Sequence, residues 1–269
     1  MSIRFRLASC ALPAFLGFWL AGCASQAILD ASTSTDKPDS DGLTRVASDV
    51  ESQGQITAAL PIYERAAAAS SGDAGAQVRL GDAYTRAGKT DQAIQAYRAA
   101  LALAPDNPDA LLGLGSALVK AGDVDGAVVA LAKAAPIVNT MTAHNRLGVA
   151  QMLAGQFAQA QQSFDAASAL APDDLDIRTN LALAAALDGQ ETKAIEAARA
   201  VVASSGAEAR HRRNLVIVYG LLGRGDEGRA AVPKGLSANE VKKLLARATA
   251  IRAISDAKAR AKALGTIMS

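Results

Sequence analysis

The chain has 269 residues, of which 50% are hydrophobic and only 4% aromatic, with 28 Lys and Arg residues against 26 Asp and Glu residues. Arg4 and Arg6 belong to a segment that we expect to be cleaved, which leaves 26 cationic and 26 anionic side chains. This balance argues against a nucleic-acid-binding protein. The apolar fraction consists mainly of Ala and Leu, which favours an all-α chain.

The N-terminus has the features of an export signal. A basic start is followed by an apolar run from Leu7 to Leu20, which is shorter than the ~20 residues that a membrane-spanning helix needs. The run ends in the sequence Leu-Ala-Gly-Cys, with the cysteine at position 23. These features predict a secretory signal peptide over residues 1–22.

The four residues that end at Cys23 resemble the lipobox of bacterial lipoproteins. The resemblance implies that the peptide is cut before Cys23, that this cysteine carries the lipid, and that Ala24 directs the protein to the outer membrane, facing the periplasm. A cleaved signal with an incidental cysteine is the alternative. Residues 23–39 are mostly small and polar, so we expect a flexible lipid-anchored tether with a reach of about 20 Å.

The body of the chain is repetitive. Glycines recur at intervals of 33 or 34 residues, at positions 54, 88, 122, 155, 189 and 223. A large apolar residue followed by a small one recurs with the same period, as in Leu80-Gly81 and Leu147-Gly148, and a further column with this period contains Tyr97 and Phe164. Such a period predicts units of two antiparallel helices, each of which buries its apolar face only by stacking on its neighbours.

This pattern resembles the tetratricopeptide repeat (TPR) family, most clearly over Gly75–Asn107 and Met141–Asp174. The resemblance implies a TPR solenoid, a right-handed superhelix of antiparallel helix pairs, over residues 40–242. We expect six units, with degenerate first and last units because of Pro61 and of Gly225, Gly228 and Pro233. The expected units are 40–73, 74–107, 108–140, 141–174, 175–208 and 209–242.

The segment after the repeats begins with Ser237-Ala238-Asn239-Glu240, which has the spacing of a helix capping box. The apolar periodicity that follows predicts a single C-terminal capping helix over residues 237–264. Such a helix commonly covers the exposed end of a solenoid.

The sequence offers little for catalysis. The two cysteines, Cys10 and Cys23, lie near the N-terminus, and His144 and His211 are 67 residues apart, so we expect ordinary surface histidines and no metal site. The Gly88-Lys89-Thr90 sequence resembles the end of a phosphate-binding loop, but it lies in the repeat turn and lacks a preceding strand. We therefore expect no enzyme, no cofactor and no small-molecule substrate.

The inner groove of the solenoid is the predicted binding site. Asn180 and Asn214 occupy the same place in successive repeats, and Asn145 lies one place earlier. An amide can both donate to and accept from a peptide backbone, so these asparagines, with Arg178 and Arg213, are candidates for holding an extended peptide. The alternatives are asparagines that cap or bridge neighbouring helices and arginines on a solvated face.

A further resemblance concerns residues 213–224 and 235–241, which are similar to the C-terminal part of the TadD-like lipoproteins of the tight-adherence (Flp) pilus assembly system. It implies a protein-binding scaffold in Tad/Flp pilus biogenesis that assists localisation or assembly of the secretin in a pilotin-like manner. The expected partner is then a pilus secretin or another assembly subunit. The alternative is a general cell-envelope adaptor that recruits peptidoglycan hydrolases or outer-membrane assembly components.

Overall fold

The computed structural model describes residues 39–231 and 235–268, with side chains in the last helix as far as Thr266. The signal peptide, Cys23 and most of the tether lie outside the described residues. Within the described part the chain is all-helical, without strands. The helices are α1 Ser40–Ser52, α2 Ile56–Ala69, α3 Ala74–Arg86, α4 Thr90–Leu103, α5 Pro108–Ala121, α6 Val124–Val138, α7 Met141–Leu153, α8 Phe157–Leu170, α9 Leu175–Leu187, α10 Glu191–Ala203, α11 Ala209–Leu222, α12 Gly225–Ala230, α13 Ala238–Arg252 and α14 Ala257–Met268.

Helices α1 to α12 form consecutive pairs, and each pair packs on the next. The turn inside every pair contains one of the periodic glycines in the left-handed conformation, with φ between +73° and +86°. Glycine adopts this conformation without the steric cost of a Cβ atom. The predicted TPR solenoid fold is confirmed.

Glycines on the first helices allow the two helices of a pair to approach closely. A Cβ atom on Gly81 would lie 2.6 Å from the ring of Tyr97, and one on Gly148 would lie 2.6 Å from the ring of Phe164. Both aromatic side chains are almost completely buried. The periodic small residues of the first helices therefore lie directly against the periodic large residues of the second helices.

The first and last pairs differ from each other. Pro61 lies inside α2, but this helix has 14 residues and packs against α1 as in the other pairs. Its proline removes only one intrahelical hydrogen bond. In the last pair, α12 has six residues, and Gly228 is buried against Tyr219.

The C-terminal segment differs from the single helix expected over residues 237–264, because it forms two helices, α13 and α14. Ser237 Oγ accepts a hydrogen bond from Glu240 N–H and begins α13, as the capping box predicts. The break at residues 253–256 arises because Asp256 Oδ1 accepts a hydrogen bond from Ala259 N–H at 2.6 Å and begins a new helix. Asp is a strong N-cap residue.

The two C-terminal helices pack on different repeats. Helix α13 packs against α11 and α12, at the end of the solenoid, whereas α14 folds back to α7. Lys258 of α14 forms an ion pair with Asp125 at 2.6 Å, and the Arg260 guanidinium lies over the Phe157 ring. Only α13 therefore covers the end of the array. Among the described residues no helix is long and apolar enough to cross a membrane.

Candidate functional site

Two cavities mark the surface formed by the first helices of the pairs. One, of about 490 Å³, lies among α3, α5 and α7, and the other, of about 240 Å³, lies between α9 and α11. Their lining residues on these helices fall mainly 13, 10, 9 and 6 residues before the turn glycine of each repeat. We call the surface at these four places the inner face.

The cavity between α9 and α11, here the asparagine cavity, contains three of the five predicted groove residues. Asn180, Arg213 and Asn214 line it, and Asn180 Nδ2 donates a hydrogen bond of 3.2 Å to Asn145 Oδ1 on α7. Arg178 does not line it, because a helix turns by about 200° over the two residues to Asn180. Four of the five predicted residues thus lie at or beside this cavity, and Arg178 does not.

The asparagines have a structural contact as well as a position suited to binding. The bond between Asn145 and Asn180 bridges α7 and α9, which is the alternative role considered for these amides. Asn214 makes no side-chain hydrogen bond with another described residue. Its amide, half-buried at the cavity wall, has a donor and an acceptor available for a ligand.

A buried histidine supports one wall of the asparagine cavity. His211, expected on the surface, is only 3% exposed, and its Nδ1 accepts a hydrogen bond from Glu208 N–H. Its Nε2 therefore carries the proton and donates to Asp176 Oδ1 at 3.0 Å. Arg210 also pairs with Asp176, at 3.2 Å. Asp176 is thus held at the wall of the cavity by His211 and Arg210.

The larger cavity is lined by polar residues that are not among the predicted groove residues. Tyr97 O–H donates to Asp82 Oδ1 at 2.7 Å, and Arg146 donates to Ser116 Oγ at 3.2 Å. Burial is the main cause that raises the pKa of Tyr97, so this phenol is a neutral donor. Arg79 and Arg146 lie nine residues before their turn glycines, as do Asn180 and Asn214. The repeat register therefore identifies Arg79 and Arg146 as cavity residues, once the position nine residues before the turn glycine is known to face a cavity.

The C-terminal helices pack where the first helices become apolar. Two residues before the turn glycine, the chain has Arg86 and Lys120 in early repeats but leucines at positions 153, 187 and 221 later. Leu187 and Leu221 belong to the same core cluster as Ala261 and Leu264 of α14. The chain thus covers apolar surface of its later repeats itself, whereas the two polar cavities stay accessible.

The described residues contain no group of three or more His, Cys, Asp or Glu side chains arranged to hold a metal ion. Their polar side chains form ion pairs and hydrogen bonds both within a repeat, as between Tyr97 and Asp82, and between adjacent repeats, as between His211 and Asp176. The arrangement offers amides, guanidinium groups and a phenol on a concave surface, and these groups can hold a peptide by hydrogen bonds.

Family models for the tetratricopeptide repeat match residues 52–97 and 145–209, and a TPR repeat model matches residues 81–122. No curated protein matches the chain significantly. The family models and the helix pairs together support the TPR repeat family.

Solved structures share the fold. YrrB, described as a TPR protein with an unusual peptide-binding site, has 23% identity and a TM-score of 0.57, over 67% of this chain and 93% of its own. PilF of Pseudomonas aeruginosa has 16% identity and a TM-score of 0.58, over 77% of this chain and 97% of its own. A tetratricopeptide repeat protein from Parabacteroides merdae has 15% identity and a TM-score of 0.64, over 84% and 93%. At these identities the likeness shows the fold alone.

Proposed function

We propose a binding role in the bacterial envelope for this chain, which is a tetratricopeptide-repeat solenoid. TPR repeats indicate a scaffold for protein–protein interaction, and TPR proteins are generally not enzymes. We propose that this chain binds a segment of a protein partner and catalyses no reaction. The observation that carries the proposal is the concave inner face, where Asn180 and Asn214 present amides beside Arg213.

The proposed place of action is the periplasmic side of the outer membrane. The support is the lipobox-like sequence at Cys23 and the small polar tether that separates it from α1. Each buried CH₂ group of an acyl chain contributes about 0.8 kcal/mol, so the several chains carried by a lipoprotein cysteine would anchor the solenoid firmly.

The proposed process is Tad/Flp pilus biogenesis. The support is the similarity of residues 213–224 and 235–241 to TadD-like lipoproteins, together with the lipobox and the repeats. In this mechanism the inner face binds a segment of the secretin or of another assembly subunit, and the lipid on Cys23 carries the complex to the outer membrane. The solenoid acts in a pilotin-like manner.

Crosslinking in intact cells, followed by affinity purification and mass spectrometry, tests this mechanism. The wild type and the Cys23→Ser variant should both recover a secretin or pilus subunits, and only the wild type should bring them into the membrane fraction. A membrane-bound Cys23→Ser variant after export would contradict the lipid mechanism. Recovery of cell-wall hydrolases without pilus components would replace the pilus role by the envelope-adaptor role.

A matched pair of variants tests the inner face. The double variant Asn180→Ala with Asn214→Ala should lose the partner and remain in the membrane. Gln159 and Gln162 are exposed amides on α8, outside the inner face, and their double alanine variant should recover the partner normally. Equal recovery by both pairs would refute the assignment of the groove.

A further inference from the structure

Positive and negative side chains are unevenly distributed along the chain, although their total numbers are almost equal. Residues 24–208 contain 13 Lys and Arg against 22 Asp and Glu, whereas residues 209–269 contain 13 Lys and Arg against only 4 Asp and Glu. The C-terminal quarter therefore has a net charge of +9 and the preceding repeats −9. A charge asymmetry of this size points to an interaction with a charged partner.

Part of this positive charge is concentrated around one groove. Arg213, Lys243 and Arg247 line a cavity of about 260 Å³ between α11 and α13, together with Leu244. Lys243 and Arg247 are exposed and form no side-chain ion pair with another described residue. Arg213 has a single ion-pair partner, the half-buried Glu240, which lies at 3.5 Å and is the one acidic residue that lines this cavity. Most of the positive charge at this cavity is therefore uncompensated within the described structure.

This cavity adjoins the asparagine cavity, because Arg213 lines both. A ligand that follows the groove meets the cations on α13 first and the amide of Asn214 next. Cations attract carboxylates, and an amide satisfies the donor and the acceptor of an extended peptide backbone. The two cavities together thus match a chain that carries negative side chains.

We propose that this groove, defined by Arg213, Lys243, Arg247 and Asn214, binds an extended acidic segment of a protein partner. The inference rests on the proposed scaffold function and adds the chemistry of the segment that is bound. Carboxylates of the segment pair with the three cations, and its backbone bonds to Asn214.

Two other anionic partners fit the groove less well. A membrane surface is broad, whereas these cations line a concave cavity that adjoins the available amide of Asn214. Nucleic acid would be repelled by the net charge of −9 on residues 24–208. A protein segment with local negative charge enters the groove without approaching the acidic repeats over its full length.

Fluorescence anisotropy with residues 24–269, which retain the whole described solenoid, tests the proposal. The probe is a fluorescein-labelled peptide of about 12 residues with alternating Glu and Ser, and its Gln counterpart is the neutral probe. Replacing Arg213, Lys243 and Arg247 by Gln should weaken binding of the acidic probe about tenfold or more, because three ion pairs are lost. The matched control replaces three exposed cations on second helices by Gln: Arg65, Arg98 and Lys133. It should stay within about twofold of the wild type.

A second variant separates the groove from general charge attraction. Asn214→Ala should also weaken the acidic probe, but with an unchanged salt dependence, because it removes an uncharged contact. Circular dichroism verifies that each variant is folded. If the triple variant and its control bind the acidic probe equally, or if Asn214→Ala has no effect, the proposal is wrong.

Two outcomes would assign the surface to another partner and overturn the proposal. One is binding to phosphatidylglycerol vesicles that depends on the three cations, without binding of the acidic peptide. The other is self-association in sedimentation that the triple variant abolishes, again without peptide binding. The test is independent of the pilus role: a pilus subunit recovered equally by the triple variant would leave the function standing and refute this groove. Peptide binding that depends on the three cations, without recovery of any pilus partner, would support this groove and refute the pilus role.

Discussion

The contact between Gly148 and Phe164 gives a sharp test of how the solenoid is packed. In Gly148→Ala, the new Cβ atom would lie 2.6 Å from Phe164 Cε1 and 2.7 Å from Cδ1. Phe164 is 0% exposed, so its ring has no free space to move into. Overpacking costs about 1–3 kcal/mol, and a contact of 2.6 Å with a fully buried ring puts this site in the upper part of that range, at about 2–3 kcal/mol. The higher helix propensity of Ala returns about 1 kcal/mol. The expected net loss of stability is about 1–2 kcal/mol.

Thermal and urea unfolding of residues 24–269, followed by circular dichroism at 222 nm, measure this loss. For a domain of this size the Tm should fall by about 2–8 °C. The matched control is Gly265→Ala in α14, where the new Cβ atom would lie more than 4 Å from every described atom other than its chain neighbours and its own helix backbone. This variant gains only helix propensity and should not lower the Tm.

A double-mutant cycle connects the effect to the contact. Phe164→Leu alone creates a cavity, but it also makes room for the methyl group of Gly148→Ala. The double variant should therefore be more stable than the sum of the single changes by about 0.5–3 kcal/mol. Additive effects, or a Gly148→Ala variant that is stabilised as Gly265→Ala is, would refute the reasoning.

Two further predictions concern contacts between repeats. Burial raises the pKa of Glu51, but hydrogen bonds from Arg86 and Tyr63 outweigh this effect and lower the pKa overall. A lowered pKa in the folded state stabilises the protein above the unfolded pKa of about 4.3, and this contribution disappears as the pH falls through the folded value. Glu51→Gln should thus lower the Tm at pH 7 more than at about pH 3, and an equal effect at both pH values would contradict the ion pair. In α14, Lys258→Glu should speed its amide hydrogen exchange about two- to fivefold by repulsion from Asp125, and the additional change Asp125→Lys should restore protection. Unchanged exchange in the single variant would show that this pair does not hold α14.

The repeats were predictable because their structure is local and periodic. Each turn glycine ends a helix by its own backbone conformation, and side chains such as Asp73, Asn107 and Asp174 begin helices by accepting backbone N–H groups within the next three residues. Such interactions are encoded within one 34-residue unit. The periodic pattern therefore predicts both the helices and the faces that pack.

The C-terminal segment was less predictable because it has no equivalent in the repeats. Its apolar periodicity correctly indicates helix, but the break depends on Asp256, whose N-cap hydrogen bond from Ala259 N–H begins α14 inside a pattern that otherwise reads as one helix. The position of α14 depends on distant residues, Asp125 and Phe157, that no local pattern connects to it. Burial of His211 similarly depends on Asp176, 35 residues away.

The repeat register predicts the positions of the asparagines but not the hydrogen bonds that they form. Asn180 and Asn214 share a place in the repeat, and this place does face a cavity. Asn145, one place earlier, bonds across to Asn180, so residues nine and ten places before the turn glycine are neighbours on adjacent first helices. That relation depends on the geometry of stacking, which the sequence alone does not supply. Because of this stacking, the amides of Asn145 and Asn180 bond to each other, whereas the amide of Asn214 stays available for a ligand.

The C-terminal helices contribute to the proposed binding groove as well as to the packing of the solenoid. Helix pairs pack on their neighbours in sequence, so four pairs, the first of which begins with α1, precede the asparagine cavity between α9 and α11. The later repeats then use their apolar residues to hold α13 and α14, and α13 brings Lys243 and Arg247 to the groove. Without these helices the groove would lose two of its three cations. We therefore expect the C-terminal segment to complete the binding surface as well as close the array.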